Sequence, residues 1–229
     1  MVWLARQGLI ASLAAAPLPS GLAMYSSDSM TLYSVDYSTG VRTSVAPLGD
    51  SIRGLHYYPA NGKYYASQAA GSEWYEIDVG DGTLTPINSF LPGVISDSTI
   101  DTDGTMYITA FDHLYSIDPV TGNTASIAFI PGSDPGAGLA TLDNGSSYLM
   151  RGVEIYPITL STAVTGTPVT LTGDITNGVR AAEVVNNTIY AIDITGNGGA
   201  GRLITINPTT GVCSLVGGSG SWLALTSNY

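Results

Sequence analysis

Charge of either sign is scarce in this chain: 11% of its 229 residues are Asp, Glu, Lys or Arg, against about 25% in an ordinary soluble domain. Bases are the scarcer kind, 7 against 18 acids, and the net charge of −11 makes the electrostatic term that drives phosphate binding repulsive. Nucleic acid is thereby excluded as a partner, and anionic membrane surfaces are disfavoured for the same reason. One cysteine, Cys213, excludes an intramolecular disulfide. With His56 and His113 as the two histidines, it also excludes a zinc site built from Cys and His alone. No stretch reaches the length of apolar sequence that a transmembrane helix needs, and after residue 16 no window shows a 3.6-residue period free of Gly or Pro. Neither a metal nor a cofactor is expected.

What the chain has in abundance is glycine, 28 residues, with Ser and Thr, the composition of strands and turns. It also has a repeat. Tyr25, Tyr65, Tyr107, Tyr148 and Tyr190 each sit in a short run of strand formers (LAMYS, KYYAS, TMYIT, SSYLM, TIYAI) at a period of about 41 residues. A second marker keeps the same period: LYSVDYSTG (32–40), WYEIDVGDG (74–82), LYSIDPVTG (114–122), IYPITLSTAVTG (155–166) and LITINPTTG (203–211).

Each unit parses into four strands. Turns such as PANG (59–62), DTDG (101–104), LDNG (142–145) and VVNN (184–187) join a first strand, A, to the tyrosine strand, B. Strand C alternates apolar and polar residues and ends at an Asp-x-x-x-Gly turn, whose glycines Gly40, Gly82, Gly122, Gly166 and Gly211 are expected at positive φ before a strand D. Four antiparallel strands per unit is the size of a β-propeller blade. The first unit lacks an A strand, and the C-terminus has one to spare in SWLALTSNY (221–229). Pairing Trp222–Ser227 with the strand around Leu22–Ser26 predicts a five-bladed β-propeller over residues 21–229, its ring closed by the C-terminal strand.

Over that span the units resemble the degenerate LYxID…TG propeller repeats of secreted bacterial and virus-encoded proteins, here as LYSIDPVTG and LITINPTTG. The resemblance implies the fold and carries no activity, because the same scaffold serves unrelated functions.

A site on the propeller axis draws on residues near the starts of the A strands: Arg53, His56 and Tyr57; Asp97 and Ser98; Gly138 and Leu139; Arg180 and Glu183; Ser221 and Trp222. Arg53, His56, Tyr57, Asp97, Arg180, Glu183 and Trp222 are the expected ligand-binding set. Asp97 and Glu183 are the one pair of inner-strand carboxylates that acid–base chemistry on a glycoside could use. They are equally explained as counter-ions of Arg53 and Arg180 in a channel that cannot hold unpaired charge. No nucleophile, base and orienter can be read together, so no catalytic residue is assigned. Asp101-Thr102-Asp103-Gly104 has the opening spacing of a calcium loop but occupies an A–B turn, which accounts for it. TGNGGAGR (195–202) reads as a lengthened B–C loop and a contact candidate rather than a phosphate loop. Tyr37, Tyr57, Tyr58, Tyr64, Phe111 and Trp222 are aromatics beyond the repeat markers, available to a glycan or a protein.

Residues 1–20 stand outside the repeat. Arg6, the apolar run Gly8–Ala16 and Ala14-x-Ala16 have the form of a signal peptide, but Pro17 would follow the cut directly. The segment is therefore expected to be an arm that docks on a protein partner or larger assembly. The functional expectation is a non-enzymatic structural or interaction protein on an extracellular or virion surface (capsid decoration or tail). The alternatives are a secreted lectin-like propeller that binds a glycan and, more remotely, a glycoside-processing enzyme.

Overall fold

A computed structural model describes residues 23–87, 91–130, 137–195 and 200–228. Residues 1–20 and residues 196–199 of the 195–202 loop lie outside them, so the expectations about the arm and that loop do too. The first blade begins with β1 (Met24–Ser27), β2 (Thr31–Asp36) and β3 (Val41–Pro47). The second comprises β4 (Ile52–Tyr58), β5 (Lys63–Gln68), β6 (Trp74–Ile77) and β7 (Leu84–Ile87). The third comprises β8 (Ile95–Ile100), β9 (Met106–Ala110), β10 (His113–Ile117) and β11 (Thr124–Phe129). In the fourth, β12 (Gly138–Thr141), β13 (Ser147–Arg151) and β14 (Glu154–Thr159) are followed by β15 (Val164–Thr165) and β16 (Val169–Thr170), which both pair with β14. After β17 (Thr172–Gly173) the fifth blade runs through β18 (Val179–Val185), β19 (Thr188–Ile194), β20 (Ala200–Ile206) and β21 (Val212–Ser221). The last strand, β22 (Ala224–Ser227), returns to the first blade, whose order is β22-β1-β2-β3. The protein is a five-bladed β-propeller, and the described residues include no helix.

Ring closure is antiparallel, with Met24 opposite Ser227 and Ser27 opposite Ala224. Trp222 and Leu223 fall in the connection before β22, so the closing strand is shorter than the apolar run that announces it. In the fourth blade, strand D is broken rather than continuous. Gly166 and Pro168 interrupt it, and a proline has no N–H to give to the ladder. The chain then leaves the blade early, and β17 adds in parallel to the outer edge of β21.

The C–D turns show why the repeat keeps its acids. In four blades the glycine amide donates to the carbonyl of the residue that opens the turn: Gly40 to Asp36 at 2.7 Å, Gly82 to Asp78 at 2.8 Å, Gly122 to Asp118 at 2.7 Å and Gly211 to Asn207 at 2.8 Å. The opening side chain accepts a second amide two residues on, as Ser38 N donates to Asp36 Oδ1 at 2.9 Å and Val120 N to Asp118 Oδ1 at 3.0 Å. Those four glycines take positive φ as expected. Gly166 does not; in the longer turn of the fourth blade Ala163 takes φ 57° instead.

Side chains fill the gaps between blades in five apolar clusters, one per interface, and each repeat tyrosine belongs to the cluster between its own blade and the next. Tyr25 packs with Leu32, Leu55 and Tyr64, and Tyr65 with Trp74, Ile95 and Met106. Tyr107 packs with Leu139 and Leu149, Tyr148 with Val179 and Ile189, and Tyr190 with Trp222 and Leu225. The period of the sequence is the period of this packing.

Candidate functional site

The inner strands β22, β4, β8, β12 and β18 meet around the axis, and their pairing with the tyrosine strands puts them in one common register. Thr226, His56, Thr99, Ala140 and Glu183 each lie opposite a repeat tyrosine. Two residues earlier along the strands, allowing for bulges, comes a ring of Ala224, Gly54, Asp97, Gly138 and Ala181. Four of these five positions are Ala or Gly, and the fifth is Asp97. Asp97 is 3% exposed, and its Oδ2 accepts the backbone amides of Leu139 and Ala182, each at 2.8 Å.

These bonds have a plain physical cause. An innermost strand has no neighbour on its axial edge, so its outward amides need acceptors that no ladder supplies. Asp97 serves two further blades in that way. Glu183 serves the closing strand: its Oε2 accepts Ser227 N at 3.0 Å and its Oε1 accepts Val184 N at 2.8 Å. Burial drives the Asp97 carboxyl well above its usual range, against the pull of the amides of Leu139 and Ala182, and the nearby Glu183 charge raises it further. Burial pushes Glu183 up to about 7, again against its amide donors. The two carboxylates are thus bound to backbone amides of the inner strands. The hydrogen bond from Arg180 goes elsewhere, Nη1 donating to Trp222 O at 3.2 Å.

Beyond Glu183 the axis opens into a depression of about 220 Å³. Tyr57, Thr99, Thr141, Glu183 and Ser227 line it from the second, third, fourth, fifth and first blades, and Asp101 and Asp143 stand at its rim in A–B turns. Thr99 Oγ1 donates to Thr141 Oγ1 at 3.0 Å, and the Tyr57 ring lies 4.9 Å from that of Tyr64. The wall is rich in hydrogen-bond acceptors, with one aromatic face. It sits at the ends of the inner strands, whereas the sequence points to their starts, so Thr99, Thr141, Ser227, Asp101 and Asp143 are not among the expected site residues. Their signal was faint, since Asp101 and Asp143 belong to turns that want acids for local reasons. Asp101 does accept the amide of Thr102 at 2.7 Å, and Asp103 that of Thr105 at 2.8 Å. Among the described residues no three His, Cys, Asp or Glu side chains are placed to hold a metal ion.

Of the expected ligand-binding set, Tyr57 and Glu183 reach this depression. His56 does not: it is buried, stacked on Trp74 at 5.1 Å, and its Nδ1 is hydrogen-bonded to Ser98 Oγ across the next blade interface. Burial takes its pKa down to about 3. Trp222, 0% exposed, is part of the cluster between the fifth and first blades; an indole sealed there packs the ring closure and cannot meet a ligand. Arg53 and Arg180 stand at the other mouth of the axis, where β4 and β18 begin. Of the remaining aromatics, Tyr64 is buried between blades and Tyr37 packs edge-on against Tyr190. Phe111 is 48% exposed at φ 51°, in the turn position that Gly152 fills in the next blade.

No protein-family model and no curated protein sequence matches the chain. Solved structures do resemble it. A protein of unknown function from Bacteroides caccae is 14% identical with TM-score 0.57, over 91% of this chain and 99% of that one. A chain of a nidogen/laminin complex is 10% identical with TM-score 0.60 over the same shares. Hydrazine synthase of Kuenenia stuttgartiensis is 16% identical with TM-score 0.49 over 71% of this chain, which spans 47% of the length of that protein. At such identities the likeness speaks for the propeller fold alone.

Proposed function

We propose that this propeller is a non-enzymatic interaction protein that takes a donor-rich group, a sugar ring first among them, in its axial depression. The observation that carries the reading is the employment of the axial acids. Asp97 and Glu183 hold inner-strand amides, so a reaction that moved protons through them would disturb the bonds between blades. The Ser98–His56 pair has a nucleophile beside a base, but His56 Nε2 is buried without a hydrogen-bond partner. A base with pKa near 3 is poorly matched to neutral pH. The depression itself offers hydroxyl and carboxylate acceptors from all five blades beside the Tyr57 ring, the pairing of polar groups and aromatic face that suits a sugar.

The test is a glycan microarray read with the full chain and with Thr102→Trp, which caps the depression from an exposed position. Binding that falls at least tenfold in the capped variant at unchanged melting temperature supports the reading, and binding that ignores the cap, or none on the array, overturns it. Turnover of chromogenic glycosides or esters that Ser98→Ala abolishes would replace it with an enzyme.

A further inference from the structure

The groups that line the axial depression divide unevenly into donors and acceptors of hydrogen bonds. Several of its hydroxyl hydrogens are spent inside the protein. Thr99 Oγ1 donates to Thr141 Oγ1 at 3.0 Å, and Thr141 Oγ1 is in turn hydrogen-bonded to Ser147 Oγ at 3.0 Å. Ser227 Oγ donates to Val184 O at 3.3 Å, Thr102 Oγ1 donates to Asp101 Oδ1 at 3.3 Å, and Ser98 Oγ is engaged with His56 Nδ1. Amides of the lining are spent as well. Asp101 N donates to Thr105 O at 2.9 Å, Leu142 N to Ser146 O at 2.9 Å and Asp143 N to Asn187 Oδ1 at 3.1 Å. What the wall has left to offer is mostly lone pairs.

Carboxylates on different blades add charge to that wall. Glu183, from β18, accepts the amides of Val184 and Ser227, which occupy two of the roughly four lone-pair directions a carboxylate has. Burial raises its carboxyl to about 7, so at neutral pH it ionises readily beside a cation. Asp101, in the turn after β8, accepts the amide and the hydroxyl of Thr102 on Oδ1, and neither bond uses Oδ2. No Lys, Arg or His is among the residues of the lining. The Tyr57 ring on the same wall attracts a cation and gives nothing comparable to a neutral hydroxyl. A sugar hydroxyl both donates and accepts, so against a wall that mostly accepts its own lone pairs go unanswered. A primary ammonium brings donors alone, with charge of the sign opposite to the wall.

We propose that the depression selects a sugar carrying a free protonated amine, with Glu183 accepting hydrogen bonds from the ammonium beside the Tyr57 ring and Asp101 adding to the negative field at the rim. This inference rests on the reading of the depression as a sugar site and names the class of sugar it takes.

The experiment is calorimetric titration of the full chain at neutral pH and low ionic strength with glucosamine, galactosamine and mannosamine. Each is compared with its N-acetyl form and with its parent hexose, in which a hydroxyl stands in place of the amine. At least one amino sugar is expected to bind at least about tenfold more tightly than its two neutral counterparts, the size of one charge-assisted hydrogen bond. Glu183→Gln should remove that preference and leave binding of the neutral sugars as it was, and Asp101→Asn should reduce the preference by a smaller factor. Asp118→Asn, which makes the same change of net charge in a C–D turn, should leave it intact. Amino and neutral sugars bound alike, or a preference that Glu183→Gln leaves unchanged, would overturn this inference while the sugar reading stands. Absence of saturable binding by any of these sugars would overturn both.

Discussion

Asp97 is the residue on which three blades converge, and its removal shows what a carboxylate on the axis is for. Asp97→Ala would leave the amides of Leu139 and Ala182 buried without an acceptor, a cost of about 1–3 kcal/mol for each. The expected result is a melting temperature lower by roughly 5–15 °C, taking about 2–4 °C per kcal/mol for a chain of this size. Asn in its place keeps one acceptor oxygen and should lose less. Glu183 supplies the pH dependence. Its carboxyl is raised from 4.5 to about 7, so the folded state holds that proton more tightly than the unfolded chain. Its contribution is fully present below the unfolded value and is lost as pH rises through about 7. Glu183→Gln, which cannot ionise, should therefore gain on the wild type between pH 5 and pH 8. The gain is about 2 kcal/mol, scaled down from the full shift because Glu183 is partly exposed in the depression, and paired thermal melts at the two pH values measure it. A wild type that holds or widens its margin over the variant at pH 8 would contradict the assignment. His56 acts with the opposite sense: its pKa is lowered to about 3, so its contribution is whole above 6.5 and falls as pH drops towards 3.

Turns and strands set the next scale, and two glycines of equal conformation separate backbone strain from packing. Gly40 has φ 70° and Gly62 φ 71°, so alanine pays the same left-handed penalty at either, about 1 kcal/mol. Their surroundings differ. A Cβ on Gly62 meets nothing within 4 Å, while one on Gly40 would lie 2.5 Å from the carbonyl carbon of Gly217. Gly40→Ala should cost at least about 3 kcal/mol and Gly62→Ala about 1, read from denaturant midpoints; equal losses would show that the contact between the first and fifth blades yields. Arg42 belongs to the same seam. Its guanidinium lies 4.4 Å from the ring centroids of both Tyr33 and Trp222 and donates to Ser221 O at 2.6 Å. Arg42→Ala is expected to lower stability by about 2 kcal/mol and to speed amide exchange in β1 and β22 before the other blades. These elements were legible to different degrees. The Asp-x-x-x-Gly turns and the hairpins could be read because neighbours in sequence make their bonds. The break in strand D of the fourth blade was not legible, because Pro168 and Gly166 have to be weighed against a ladder partner, β14, that a local pattern does not name.

For the whole ring, closure is the decisive event. β22 supplies the first blade with its inner strand and caps the amide edge of β1, and its Ser227 amide donates to Glu183. Truncation after Ser221 should abolish the cooperative unfolding transition and leave an aggregating chain, as followed by circular dichroism and light scattering. A truncated chain that melts cooperatively near the wild-type temperature would show that the ring does not need its closing strand. The blade number, the closure and the packing role of the five repeat tyrosines were all readable in advance, because a repeated unit states its contacts five times over. The axis was not. Asp97 and Glu183 were singled out correctly as inner-strand acids, but the amides of Leu139, Ala182 and Ser227 that they accept come from other blades, up to 85 residues away in the chain.

The sequence by itself determined the strands, the turns, the number of blades and the strand that closes the ring, since alternation, turn chemistry and period express interactions within a unit or between one unit and the next. Only the tertiary structure decided which side chains share the axis, because five strands distant in the chain converge there and a one-residue bulge in three of them sets what each presents. That convergence buried His56 and Trp222, spent Asp97 and Glu183 on backbone amides, left Arg53 and Arg180 at one mouth, and opened a depression at the other from residues that in sequence are only the ends of strands.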